Sequence, residues 1–158
     1  MSKLEKVFGD APGDVTLKGR WWIKLHRGDE LVAEREGDNV ITSVGKEFLA
    51  SFLQSAAAAA STFTCRYVAV GTDATAEAVG NTALGTELTR VSGVVSYVSN
   101  AMYQVTGTFA SGVGTGAIVE YGLLSSSSGG TLLSRDTEAL ITKGANDTLT
   151  TIVRITIG

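Results

Sequence analysis

The chain has one cysteine, one histidine and one proline in 158 residues, and aromatic side chains make up only 7% of it. A single thiol, Cys65, excludes an internal disulfide and a thiolate zinc site. His26 is the only imidazole that could serve Cys65 as a base, and the two fall in different strand-like runs. The third group that would orient such a pair is not evident. We read Cys65 as a small core hydrophobe and His26 as a hairpin-edge residue. Charge is scarce too: Asp, Glu, Lys and Arg make up 18% and the net charge is −3, which argues against a nucleic-acid partner. No run approaches the ~18 consecutive apolar residues of a membrane span, and the opening MSKLEKVFGDAPGD lacks the apolar stretch of a secretory signal. The expectation is a soluble protein made in the cytoplasm, with no membrane partner.

What the chain does have is 44% hydrophobic residues and nineteen glycines. That is enough apolar material for the core of a single domain, with turns built from glycine and a surface of Ser, Thr and Gly. Residues 1–14 place Leu4, Val7 and Phe8 singly among charges and glycine, a pattern that predicts an extended amino-terminal arm ordering on a neighbour. From residue 15 the texture is that of one domain. VTLKGRWWIKL alternates Val15, Leu17, Trp21, Ile23 and Leu25 against Thr16, Lys18, Arg20 and Lys24, which predicts a half-buried strand returning through LVAERE as a hairpin turned at Gly28. Trp22 breaks the alternation, and an indole on the polar face implies cover from the arm or from another subunit.

Val44, Phe48, Leu49, Phe52, Leu53 and Ala56 recur at helical spacing, so the prediction is a helix over about 43–60, capped by Thr42 or Ser43. From Thr62 on, β-branched and aromatic runs separated by Gly, Asn and Ser predict antiparallel strands ending in TLTTIVRITIG. Within them SSSSGG is the expected tip of a hairpin with arms at residues 117–124 and 131–135, and GVGTGA, with no helix pattern after it, is another turn rather than a dinucleotide fingerprint. Residues 71–90 predict a long contact-bearing loop with a helical turn around 83–88. The fold class expected is mainly β, an antiparallel β-sandwich-like domain with one packed α-helix and the amino-terminal arm.

Several fragments occur in a recognisable order: a charged hairpin, N-V-I-T-x-x-G at Asn39 to Gly45, A-V-G-T at Ala69 to Thr72, T-A-L-x-x-E at Thr82 to Glu87, and E-x-G-L…G-G-T-L-L-x-R at Glu120 to Arg135. The ordered set, over residues 15–158, resembles a group of small structural proteins of tailed-bacteriophage virions. The resemblance implies a virion component made in the host cytoplasm. The first expectation is a capsid decoration or cement protein that binds the capsid protein and itself, as a trimer, and stabilises the head shell. The alternative is a tail-fibre or baseplate component that contacts other tail proteins and binds the host surface. Interface residues expected on this reading are Leu4, Val7, Phe8, Trp22, Thr82, Leu84 and Glu87.

Charged residues offer little to an enzyme. Asp136 and Glu138 lie two apart, but a glycosidase would need a further carboxylate across a cleft with stacking aromatics, so a solvated turn pair is the expected reading. Glu120 interrupts an apolar strand and needs a cationic partner if buried, with Arg135 or Arg154 as candidates. The tripeptide Arg27-Gly28-Asp29 is explained by its turn, and the Asn146-Asp147-Thr148 glycosylation pattern carries no weight without a secretion signal. No catalytic, cofactor-binding or metal-ligating set emerges, and the expectation is a non-enzymatic protein.

Overall fold

A computed structural model describes residues 16–54, 65–99 and 102–158. The amino-terminal arm, with Leu4, Val7 and Phe8, lies outside the described residues. The first hairpin pairs β1 (Leu17–Arg27) with β2 (Glu30–Ile41) through a turn in which Gly28 has φ 58°, a left-handed value that favours glycine. Alternation in β1 has the predicted sense: Trp21, Ile23 and Leu25 are buried while Trp22 and Lys24 face outward and are only partly covered. Along its other side β1 pairs over its whole length with β9 (Asp147–Ile157), where Leu149, Val153 and Ile155 are buried on the same face. A long strand with both neighbours in register is fixed by this pattern, because a one-residue slip would turn every one of these side chains to water.

The other strands are β3 (Tyr67–Gly71), β4 (Glu87–Ser92), β5 (Val94–Ser99), β6 (Met102–Phe109), β7 (Gly116–Leu124) and β8 (Leu132–Lys143). All pairings are antiparallel, in one nine-stranded order β4-β3-β7-β8-β2-β1-β9-β6-β5. This sheet curls into a β-sandwich-like, mainly β fold. The bend lies at β2, whose body pairs with β1 but whose last two residues, Val40 and Ile41, pair with Arg135 and Ser134 of β8. The two halves meet face to face, and Gly107 of β6 marks the closest approach: a Cβ there would lie 2.8 Å from the Cβ of Val68 in β3. Between the halves Trp21, Ile23, Val68, Phe109, Ile118 and Leu123 are fully buried, each aliphatic or Phe side chain contributing about 1.5–3 kcal/mol by its removal from water.

One helix, α1 (Ser43–Gln54), closes over β8. The Thr42 hydroxyl accepts the Gly45 N–H at 3.0 Å, so Thr42 is the N-cap, while its own N–H donates to the Leu133 carbonyl at 3.0 Å. Gly45 lets the helix come close, since a Cβ there would sit 2.7 Å from the Leu133 carbonyl oxygen. Phe48 and Leu49 of the expected stripe pack against the core; the rest of the predicted helix, 55–60, lies outside the described residues.

Two expectations are corrected. The long loop spans 72–86 with no helical turn among its residues, and Leu88 belongs to β4, because Glu87 to Ser92 pair with β3 instead of with each other. The β-branched run at residues 91–99, one of those from which strands are expected, falls in two strands, the end of β4 and the whole of β5. At Gly93 the chain leaves one end of the strand order and enters the other, and a Cβ there would lie 2.5 Å from a Val105 methyl, so only glycine passes through this joint undistorted.

Candidate functional site: a pinned loop, an acidic fork and an uncharged edge strand

Glu120 in β7 is fully buried, and its partner is Arg135 of β8, not Arg154. The guanidinium donates to the carboxylate from Nε at 3.1 Å and Nη2 at 2.9 Å. The remaining lone pairs of Glu120 accept backbone N–H groups from both ends of the 72–86 loop: Asp73 at 3.2 Å, Gly85 at 2.9 Å and Thr86 at 2.7 Å. Arg135 donates outward to the Thr75 carbonyl at 2.9 Å and to Asn81 Oδ1 at 3.3 Å. A buried ion pair is tolerable only when its further valences are filled in this way. Asp73 holds the start of the loop by accepting the Thr75 N–H at 2.9 Å and hydroxyl at 2.7 Å, and these bonds, with Arg135 nearby, keep its carboxyl below the ordinary range. The far side of the loop is fixed to the helix start, where the Ser43 N–H donates to the Val79 carbonyl at 2.7 Å.

This places the predicted loop residues. Thr82 is exposed at the loop crest. Leu84 is buried, 8% exposed, in a small cluster with Ala69, Leu124 and Leu132, and its methyl occupies the space a Cβ on Gly122 would need. It anchors the loop from within the chain. Glu87 is committed to Arg90 at 2.6 Å, and Arg90 also donates to the Ser126 and Gly129 carbonyls of the β7–β8 hairpin tip.

Trp22 is covered by cations rather than left bare. The Arg154 guanidinium carbon lies 4.8 Å and that of Arg20 5.7 Å from the ring centroid. Arg20 is held in turn by Asp38 at 2.9 Å and Glu36 at 3.1 Å, and Arg154 by Gln104. Cation–π contacts of this kind contribute about 0.5–1 kcal/mol at exposed sites and account for an indole on an otherwise polar face.

The Asp136–Glu138 reading also needs correction. Neither residue is in a turn: both lie within β8, and Asp136 is 1% exposed. They sit where β8 peels away from β2, facing Gly37, at which a Cβ would lie 3.6 Å from Asp136 Oδ2 and would strike the Glu138 carboxylate. Glu77 reaches the same place, accepting a short hydrogen bond from the Thr137 hydroxyl. Burial first, then the charges of Glu138 and Glu77, pushes the Asp136 carboxyl up to about 7. Asp136 Oδ2, Tyr121 OH and Trp21 Nε1 have no hydrogen-bond partner among the described residues, and the Trp21 and Tyr121 rings pack tilted at 43° with centroids 5.9 Å apart. No group of three or more metal-ligating side chains with the geometry for an ion occurs among the described residues. Cys65 is buried, its thiol pushed up to about 12 by that burial, and so stays protonated; His26 is half-buried in β1, opposite Thr148.

Sequence reasoning missed two buried charges. Lys143 donates to the Ala110 carbonyl at 3.0 Å, and Asp147 accepts Arg27 Nε at 2.9 Å and the Gly144 N–H at 2.9 Å. The signal available was position: each sits at an inward-facing register of a strand end.

The two ends of the strand order differ. The β4 edge carries the Glu87–Arg90 pair, whereas β5, VVSYVS, has no charged residue and is exposed throughout, with Val94 70%, Val95 47% and Tyr97 73% accessible. Among the described residues β5 pairs with β6 alone. Comparison with models of known families, with curated proteins and with solved structures finds no match.

Proposed function

We propose that this chain is a structural protein of a bacteriophage virion, and within that class a capsid decoration or cement protein that binds and stabilises the head shell. The observation that carries the reading is the exposed, uncharged β5 edge on a domain whose buried ionic groups are largely satisfied internally. Such a surface fits a protein whose work is to occupy a place among other proteins. The ordered motifs add support, since they meet in space: Gly71 of the A-V-G-T strand pairs with Glu120, Thr86 of the T-A-L-x-x-E loop donates to it, and Arg135 of the E-x-G-L…R hairpin is its partner. Partners on this reading are the capsid protein and further copies of the chain, with the trimer implied by the resemblance. The tail reading, in which the protein binds a host surface, calls for aromatic side chains at loop tips; the described loops 72–86, 110–115, 125–131 and 144–146 contain none. The test is to add the purified full chain to heads of the encoding phage that lack it. Co-sedimentation, with heads that then withstand a higher temperature, is the expected result; failure to bind heads while binding isolated tails would reverse the assignment.

A further inference from the structure

We propose that the fork between β2 and β8 is a site for a hard divalent cation, calcium above all, held by the carboxylates of Asp136 and Glu138 and the hydroxyl of Tyr121, with water in its remaining positions. The backbone makes the place. Val40 and Ile41 of β2 pair with Arg135 and Ser134 of β8, and the same register carried on would set Asn39 against Asp136 and Gly37 against Glu138, but there the ladder stops. Gly37 leaves the room: a Cβ on it would strike the Glu138 carboxylate and lie 3.6 Å from Asp136 Oδ2, so the two carboxylates reach one point at the fork.

Beyond the carboxylate pair, two observations point to a ligand. The first is the Tyr121 hydroxyl. Tyr121 is fully buried, stands directly opposite Asp136 in the β7–β8 register and so shares its face, and its phenol feels the charges of Asp136 and Glu138; the hydroxyl has no hydrogen-bond partner among the described residues. The second is its company. The buried side-chain polar atoms without a partner among the described residues belong to Trp21, Asn39, Tyr121, Ser134 and Asp136. The pairings of Trp21 with Gly37, Gly19 with Asn39, Tyr121 with Asp136 and Ile41 with Ser134 bring all five to this one junction of β1, β2, β7 and β8. Buried polar groups are nearly always satisfied, so their gathering in one place marks a polar site.

The signs of the charges make the ligand a cation. Those that act on Asp136 come from Glu138 beside it, Glu77 of the loop and Asp38 of β2, all negative. Arg35 of β2 eases Glu138, but its guanidinium is committed to the carbonyls of Glu34 at 2.7 Å and of Ala139 and Leu140 at 3.2 Å each. A divalent ion turns the repulsion at the fork into attraction. Carboxylate and hydroxyl oxygens select a hard ion. Two carboxylates, short of a three-acid cage, suit an ion that keeps waters, and strands free to adjust suit the variable geometry of calcium over the strict octahedron of magnesium. Asp136 is 1% exposed, so a small ion reaches it where a lysine or arginine of another protein would not. The inference stands apart from the virion reading.

The test uses the full chain, freed of divalent ions with a chelator. Isothermal titration with calcium chloride at pH 8 should show one equivalent bound, and calcium should raise the melting temperature where sodium chloride of equal ionic strength does not. Because the Asp136 carboxyl titrates at about 7 and binds when ionised, affinity should fall about tenfold between pH 8 and pH 6. Asp136→Asn and Glu138→Gln, each checked for folding by its melt, should weaken binding by about tenfold or more, while Glu47→Gln on the exposed side of the helix should leave it unchanged. No heat and no shift in melting temperature up to about 10 mM calcium at pH 8, a rise matched by sodium chloride, or binding that survives Asp136→Asn and Glu138→Gln would overturn the inference.

Discussion

Asp136→Asn should stabilise the protein at neutral and alkaline pH and do little at acid pH. The carboxyl is 1% exposed, faces Glu138 and Glu77, and lies beside Tyr121 with Oδ2 unpaired. Its folded value of about 7 stands above the ordinary 3.8, so the folded state binds the proton more tightly than the unfolded chain. The proton-linked stability is then fully present below about pH 4, is lost as pH rises from there to about 7, and is flat beyond. At roughly 1.4 kcal/mol per pH unit the full difference is about 4 kcal/mol, an upper figure because strands at the fork can move apart and admit water. The asparagine keeps the shape, carries no charge and has no such dependence. In thermal unfolding followed by circular dichroism, the variant's advantage should grow from about zero near pH 3, through about 1 kcal/mol at pH 4.5, to several degrees or more at pH 8, at about 2–4 °C per kcal/mol for a domain of this size. Taking the difference between the two proteins removes the acid sensitivity they share through Asp73 and Asp147, whose carboxyls sit below their ordinary range. A difference independent of pH, or a variant less stable than the parent at pH 8, would refute the reasoning.

Glu120→Gln should cost about 3–5 kcal/mol, because it strips a buried guanidinium of its counter-charge, and hydrogen exchange at Asp73, Gly85 and Thr86 should accelerate more than in β1; uniform acceleration would mean the pair does not pin the loop. Gly85→Ala should destabilise, since its Cβ would lie 1.7 Å from Asp73 Oδ2, whereas Gly80→Ala in the same loop meets nothing within 4 Å and should be near neutral; equal melting temperatures for the two variants would contradict the loop geometry.

The first hairpin, the start of the helix and the last strand were legible in the sequence because their apolar residues follow one period without interruption, as Trp21, Ile23 and Leu25 do. The need of Glu120 for a cation was legible from a lone charge in an apolar run, but the choice of Arg135 over Arg154 was not. It depends on β7 lying beside β8 while Arg154 faces the outer surface over Trp22. Asp136 was misread because the run LLSRDTEALITK looks like two pieces divided by a polar turn, whereas it is one strand whose pairing with β7 continues past an irregularity between Thr137 and Ile141. The place of β5 at the end of the strand order was hidden for a similar reason. VSGVVSYVSN reads as an ordinary strand, and only the bend at Gly93 and the final strand order show that its second half ends a sheet.

The central claim, a place in a virion shell, is tested most directly by labelling intact purified particles of the encoding phage with gold-conjugated antibody against the recombinant chain and viewing them by electron microscopy. Label distributed over the head is the predicted result. Label confined to the tail, or particles that take none while the infected cell contains the protein, would contradict it.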